Sequence, residues 1–180
     1  MTHHIPTELN VTILASPRFD TYRAAFKLQP PDLSRKRYDD ELTDLTHLPC
    51  FSDLLEASTP LPEASYATDI EQLREEQKYL WVIGGDYVKI AQEYGDAGKK
   101  TQRERLSHSN FTGGKDAFAG GELWFSNSNY ICINGGSSRY TPRSEQELET
   151  IVDSFRESGY EVQSAGWDNG TNAPARFRRT

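Results

Sequence analysis

Glycine is confined to one half of this chain, which restricts where the backbone can turn sharply. All 13 glycines of the 180 residues follow Ile83, whereas seven of the nine prolines lie at or before Pro62. Three adjacent pairs (Gly113 with Gly114, Gly120 with Gly121, Gly135 with Gly136) fall within the one stretch from Ser107 to Pro142. Each glycine gives up more backbone freedom on folding than any other residue. Three pairs so close together therefore point to sharp turns or close approach to a ligand, not to ordinary core.

The two halves predict different structure, within one domain spanning residues 1–180. Residues 1–78 read as a mainly helical, acidic part. Val11 to Ala15 suggests a short strand, and after Pro17 the spacing of Phe19, Tyr22 and Phe26 predicts an amphipathic helix that Pro30 and Pro31 end. Arg35, Lys36 and Arg37 followed by Asp39, Asp40 and Glu41 read as a solvated helix face. Leu42, Leu45 and Leu48, then Pro49 and FSDLLEA, suggest two short helices. Thr68 or Asp69 is placed to cap a helix running to Gln77.

Residues 79–180 read as glycine-rich hairpins, a helix and a final strand. YLWVI and YVKIAQEY flank Gly84 and Gly85 as a hairpin, whose turn would use the positive φ open to glycine. GDAGKKTQRER is a polar connector and RLSHSNF a candidate strand. ELWF and YICIN predict a second hairpin around Ser126 to Asn129, with Leu123 and Phe125 on one face and Glu122 and Trp124 on the other. Ser144 and Glu147 form a capping box before the apolar stripe Leu148, Ile151, Val152 and Phe155, and Gly159 ends that helix. YEVQSA follows as a strand. The expected fold class is α+β: a mainly antiparallel sheet in the second half with helices packed on one side, and a helical first half.

Composition narrows the partners. The formal net charge of −7 argues against nucleic-acid binding. Residues 1–83 hold 8 Lys/Arg and 14 Asp/Glu and residues 84–180 hold 12 and 13, so the acidity belongs to the first half. A small anion could be met in the second half, near the basic end at Arg176, Arg178 and Arg179, or that end is a solvated tail. No apolar run is long enough for a membrane span, and the start lacks a basic then apolar signal pattern, so a cytoplasmic location is expected. Cys50 and Cys132 read as packed thiols, and no Cys/His spacing matches a zinc site.

Candidate chemistry gathers in the glycine-rich stretch. His108 titrates near neutral pH and could act as general acid or base, or be tied structurally to a backbone carbonyl. Glu122 opens an otherwise apolar strand, where a carboxylate needs solvent or a partner, with His108 and Arg139 as candidates. These two are the candidate catalytic residues. Ser109 and Asn110, with the loop residues Gly135, Gly136, Ser137, Ser138, Arg139 and Tyr140, are the candidate ligand-binding residues. The loop's amides, its guanidinium and the following helix N-terminus together favour an anion. No P-loop spacing is present.

The order LSHSNFTGG, AGGELWF, INGGSSRYTPRS and GYEVQSAGWD resembles a group of small stand-alone bacterial proteins. It is also similar to the H-S-x-F, A-G-E and S-G-x-Y series near the ends of some large bacterial toxin-like and effector-like chains. The resemblance runs from Tyr79 onward, and Ser138 stands where that series has glycine. It implies a shared site around His108, Glu122, Arg139 and Tyr140, and no particular reaction or cofactor. Two functions fit: a toxin- or effector-like enzyme acting on an anionic or nucleotide-like ligand through a His/Glu pair, or a non-enzymatic inhibitor, immunity factor or accessory subunit whose Asp39 to Asp44 region meets a basic protein.

Overall fold

A computed structural model of the chain describes residues 16–55, 57, 61, 65–67 and 71–177. Six strands form one sheet in the order β1-β3-β2-β4-β5-β6: β1 (Ser52–Asp53), β2 (Tyr79–Ile83), β3 (Val88–Gln92), β4 (Ala119–Phe125), β5 (Tyr130–Asn134) and β6 (Glu161–Ser164). β7 (Trp167–Asp168) and β8 (Ala173–Pro174) pair separately as an antiparallel ribbon. The α-helices are α1 (Asp20–Ala25) and α2 (Glu145–Glu157).

Both expected hairpins form, β2 with β3 and β4 with β5. The positive φ expected at the glycines of the first turn, Gly84 and Gly85, is absent. A Cβ on Gly84 would instead lie 2.2 Å from the Tyr87 ring, so the position is small to let that ring fold over it. In the second turn, the Asn127 side chain accepts from the Asn129 and Tyr130 amides and sets the reversal.

The sheet is mixed, not simply antiparallel, because α2 carries the chain back so that β6 lies parallel to β5. Ser144 caps α2 by accepting from the Glu147 amide at 3.1 Å, and Gly159 follows the helix at φ +97°. Glu147 does not complete the reciprocal box. Its buried carboxylate accepts from the Arg143 amide and guanidinium and from the Tyr22 hydroxyl, which ties α2 to α1. The two helices cover one face of the sheet, where Phe19, Trp81, Leu123, Phe125, Ile151 and Phe155 share a core.

The expected helical first half is overturned. Among its described residues the only α-helix is the six-residue α1, accompanied by single 3-10 turns at Ser16–Phe19, Asp39–Leu42 and Glu75–Gln77. Proline explains part of this, since it removes a donor and blocks the preceding turn. Around Pro49, Leu45, Leu48 and Cys50 are used in successive reverse turns, and Ser52 and Asp53 then pair with Ile90 and Lys89 as an edge strand. The predicted strand over Val11 to Ala15 and the cap at Thr68 or Asp69 lie outside the described residues, while residues 71–74, expected to be helical, are not.

The second face of the sheet is covered by loops. Residues 39–51 and 93–117 pack there around Leu80, Val82, Leu106, Phe111 and Tyr140. No helix among the described residues is long and apolar enough to cross a membrane.

Candidate functional site

The sheet register lays the floor of a cleft on this loop-covered face. Leu80 pairs with Glu122, and Glu122 with Asn134, so the three residues form a row across β2, β4 and β5. One row away Val82 pairs with Gly120, where a Cβ would come within 2.8 Å of the His108 ring. Glycine at 120 thus provides the space in which the imidazole lies over the strand. Gly121 is small for the opposite face, where a Cβ would meet the Trp81 indole at 2.4 Å.

His108 is not on a strand as expected but opens a 3-10 turn, His108–Phe111, capped by Ser107 and Asn110. Its Nε2 lies 2.9 Å from the carbonyl of Gly121. A carbonyl can only accept, so Nε2 carries the hydrogen and Nδ1 is left as the basic nitrogen. Burial pushes the imidazole down to about 4, against partial opposition from the Gly121 hydrogen bond and the Glu122 charge, so the ring is neutral at physiological pH.

Glu122 is nearly buried and sits in a charged cluster. Its Oε1 lies 3.6 Å from Lys78 Nζ and 3.7 Å from Arg176 Nη1, and its Oε2 accepts from Asn134 Nδ2 at 3.3 Å. Lys78 Nζ also meets Glu93 at 2.6 Å and Glu75 at 2.9 Å. Burial would lower the Lys78 ammonium, but the Glu93 and Glu122 charges outweigh it and hold it above the ordinary lysine range.

A second cluster closes the opposite wall. Arg139 Nη2 lies 3.2 Å from Glu41 Oε2, and Arg103 Nη2 lies 2.9 Å from Glu41 Oε1. Glu41 also accepts from the Arg37 and Tyr38 amides. Burial favours protonation of Glu41, yet these hydrogen bonds and the two guanidinium charges keep its carboxyl below the usual range. The mixed-charge run is therefore no solvated helix face: Arg35, Arg37, Tyr38 and Glu41 line the cleft, while Asp39 pairs outside with Lys36. Of the acidic stretch read as a surface for a basic protein, Glu41 is buried, Asp40 accepts from the Gln102 amide and Asp44 from Thr46.

The cleft encloses about 540 Å³. Seven cationic side chains line it (Arg35, Arg37, Lys78, Arg103, Arg105, Arg139 and Arg176), against the four carboxylates Glu41, Glu75, Glu93 and Glu122. Tyr38 and Tyr94 stand at its wall, each 38% exposed.

Of the ten candidate residues, the cleft brings together His108, Glu122, Gly136, Ser138 and Arg139. Gly135 and Ser137 line an adjoining smaller cleft. Ser109, Asn110 and Tyr140 do not reach either space. Ser109 Oγ donates to the Glu41 carbonyl, Asn110 Nδ2 donates to the carbonyls of Asp40 and Thr43, and the buried Tyr140 hydroxyl bonds the Lys115 carbonyl and Thr112. These three hold the loops that carry Glu41 and Arg139. The N-terminus of α2, expected to help meet an anion, is occupied by Ser144 and by Arg143 paired with Glu147.

Sequence reasoning missed Lys78, Glu93, Arg103 and Arg105. A usable signal existed for the first two. Extending the β2–β3 register one step beyond Tyr79 and Gln92 sets Lys78 opposite Glu93, and the Glu93 amide donates to the Lys78 carbonyl. Arg176 enters through the β7–β8 ribbon, with Pro174 packed close over Gly135. Cys132 is buried with its thiol pushed up to about 11 by that burial, which keeps it unreactive. Among the described residues, no group of His, Cys, Asp or Glu side chains is arranged to hold a metal ion. No family model, curated protein or solved structure matches the chain. The functional reading therefore rests on the chemistry of the cleft.

Proposed function

We propose that the cleft binds a small phosphate-bearing, nucleotide-like anion and that His108 acts on it as a proton acceptor, with Glu122 shaping the local charge. The observation that carries this reading is the excess of cations over carboxylates inside the cleft of a protein whose net charge is −7. Guanidinium groups suit phosphate oxygens because they offer paired, charge-assisted donors. Arg35 and Arg37 make no side-chain hydrogen bond or ion pair among the described residues, so they can turn to a ligand without breaking one. Tyr38 and Tyr94 supply partly exposed ring faces for a base. The neutral imidazole leaves Nδ1 as the acceptor for a proton from a ligand hydroxyl or a water, since its Nε2–H is spent on Gly121.

Calorimetric titration with ADP and with inorganic pyrophosphate tests the binding step. The Arg35→Ala/Arg37→Ala double variant, altered only at exposed positions, is expected to bind ADP at least about tenfold more weakly, the equivalent of one charge-assisted hydrogen bond. Wild type that binds neither probe, or a double variant as tight as wild type, overturns the reading. Mass spectrometry of nucleotide pools incubated with wild type and His108→Gln tests the chemical step, where product should form only with wild type.

A further inference from the structure

The cleft has a neighbour, and the boundary between them is built from cations. A smaller space of about 330 Å³ adjoins it, and Arg35, Gly136, Ser138 and Arg176 line both. Each volume lies within the range of about 300–1,000 Å³ in which proteins hold small ligands. Two arginines from opposite parts of the chain thus meet a glycine and a serine on the saddle between two ligand-sized spaces. The details suit a phosphate bridge there. Ser138 is exposed, and its hydroxyl makes no hydrogen bond among the described residues. Gly136 keeps the loop low: a Cβ on it would lie 2.8 Å from Asn134 Oδ1 and 3.1 Å from Arg176 Nε, so the guanidinium lies close against the loop backbone. The carboxylate nearest Arg176, Glu122, holds it only loosely at 3.7 Å.

The two spaces differ in lining. The large cleft is ringed by charge and tyrosine, whereas the small one is walled by Ser34, Thr141, Ala173 and Pro174 and holds a single carboxylate, Asp32. A mononucleotide with its phosphates on the saddle leaves the small space unused. A ligand in which a pyrophosphate joins two nucleoside-sized groups uses both, with its doubly charged bridge against Arg35 and Arg176.

Resting on the anionic-ligand reading of the large cleft, we infer that this protein takes a two-headed ligand, a dinucleotide joined through pyrophosphate, with the bridge on the Arg35/Arg176 saddle and the second head in the small cleft. The test compares ADP, inorganic pyrophosphate and diadenosine diphosphate by calorimetry on wild type and on Ser34→Trp. Ser34 is an exposed loop residue that lines the small space and not the large one, so the indole fills only the second compartment. Diadenosine diphosphate is expected to bind wild type at least tenfold more tightly than ADP. Ser34→Trp is expected to erase that advantage and leave ADP affinity unchanged. In wild type, the amide NMR signals of Ser34 and Ala173 should move with the dinucleotide and stay fixed with ADP, which keeps the test open if the variant misfolds. Equal affinities in wild type, an advantage that survives in a folded Ser34→Trp, or static Ser34 and Ala173 signals overturn the two-headed ligand while the large-cleft reading stands. Failure of ADP and pyrophosphate to bind at all overturns both.

Discussion

The imidazole of His108 lies over Gly120 with one nitrogen committed to the Gly121 carbonyl, and its neutrality has a measurable cost in acid. Its folded-state value of about 4 lies below the ordinary 6.5, so the unfolded chain binds a proton that the folded chain refuses. Stability is complete above pH 6.5 and falls as pH drops from there toward 4, by about 3 kcal/mol over the full window. Glu41 acts in a separate range: its depressed carboxyl adds stability that is present above the ordinary 4.5 and is lost below it. Urea unfolding of wild type should therefore show a falling free energy between pH 7 and 5, and His108→Gln should flatten that slope. An unchanged wild-type midpoint across the range would contradict the burial of a neutral ring. At this scale the sequence was partly legible: the glycine pair before Glu122 points to a sharp turn or to close approach of a ligand, and the pair lies instead within β4, where the chain's own His108 and Trp81 rings make the close approach. Glu41 was not legible. In a basic block followed by an acidic one, nothing local distinguishes positions 35, 37, 38 and 41, which turn to the cleft, from 36 and 39, which turn away.

Residues 32–43 form a strap that closes one wall of the site, and beyond the single 3-10 turn at Asp39–Leu42 it is held by polar contacts. The Asp32 amide donates to the Arg139 carbonyl, Arg139 Nη1 donates to the Asp32 carbonyl, and Ser109 and Asn110 clasp the backbone at residues 40–43. Glu41 is the central fastening, with two arginines and two amides on one carboxylate. Removing one partner of a buried ion pair typically costs about 3–5 kcal/mol, because the other charge is left stranded. Glu41→Ala is accordingly expected to accelerate hydrogen exchange at the Arg37 and Tyr38 amides by more than tenfold and leave exchange in β2, β4 and β5 slow. Uniform acceleration throughout the sheet would mean that the strap is not a separable element. The apolar runs that flank each turn made the two hairpins readable in advance, although the positive φ expected at Gly84 and Gly85 is not what makes the first one turn. The strap was not readable, since its partners Ser109 and Arg139 lie 68 and 107 residues away and leave no periodic trace in its own sequence.

At the scale of the whole molecule, the described residues of the first half share their core with the second. Its edge strand pairs with β3, Gln29 bridges to Ala117 and Tyr66 to Phe125, so its described residues are sewn onto the sheet built by the second half. Unfolding should be one transition. Tryptophan fluorescence, reporting Trp81 and Trp124 in the sheet, and thiol labelling of Cys50, reporting the loop beside β1, are expected to give coincident urea curves. Labelling that runs ahead of fluorescence would reveal an independently melting part. The division into a helical and a β half failed because proline spacing was read as helix punctuation where it punctuates extended chain and single turns. The cleft itself draws on residues from Arg35 to Arg176, with no contiguous stretch supplying more than a part. On the ribosome, where the chain emerges in order, the sheet and the strap can be complete while the β7–β8 ribbon is still inside the exit tunnel. Until Arg176 has emerged, the boundary between the two clefts lacks one of its two guanidinium groups, so it is the last part of the cleft lining to be completed.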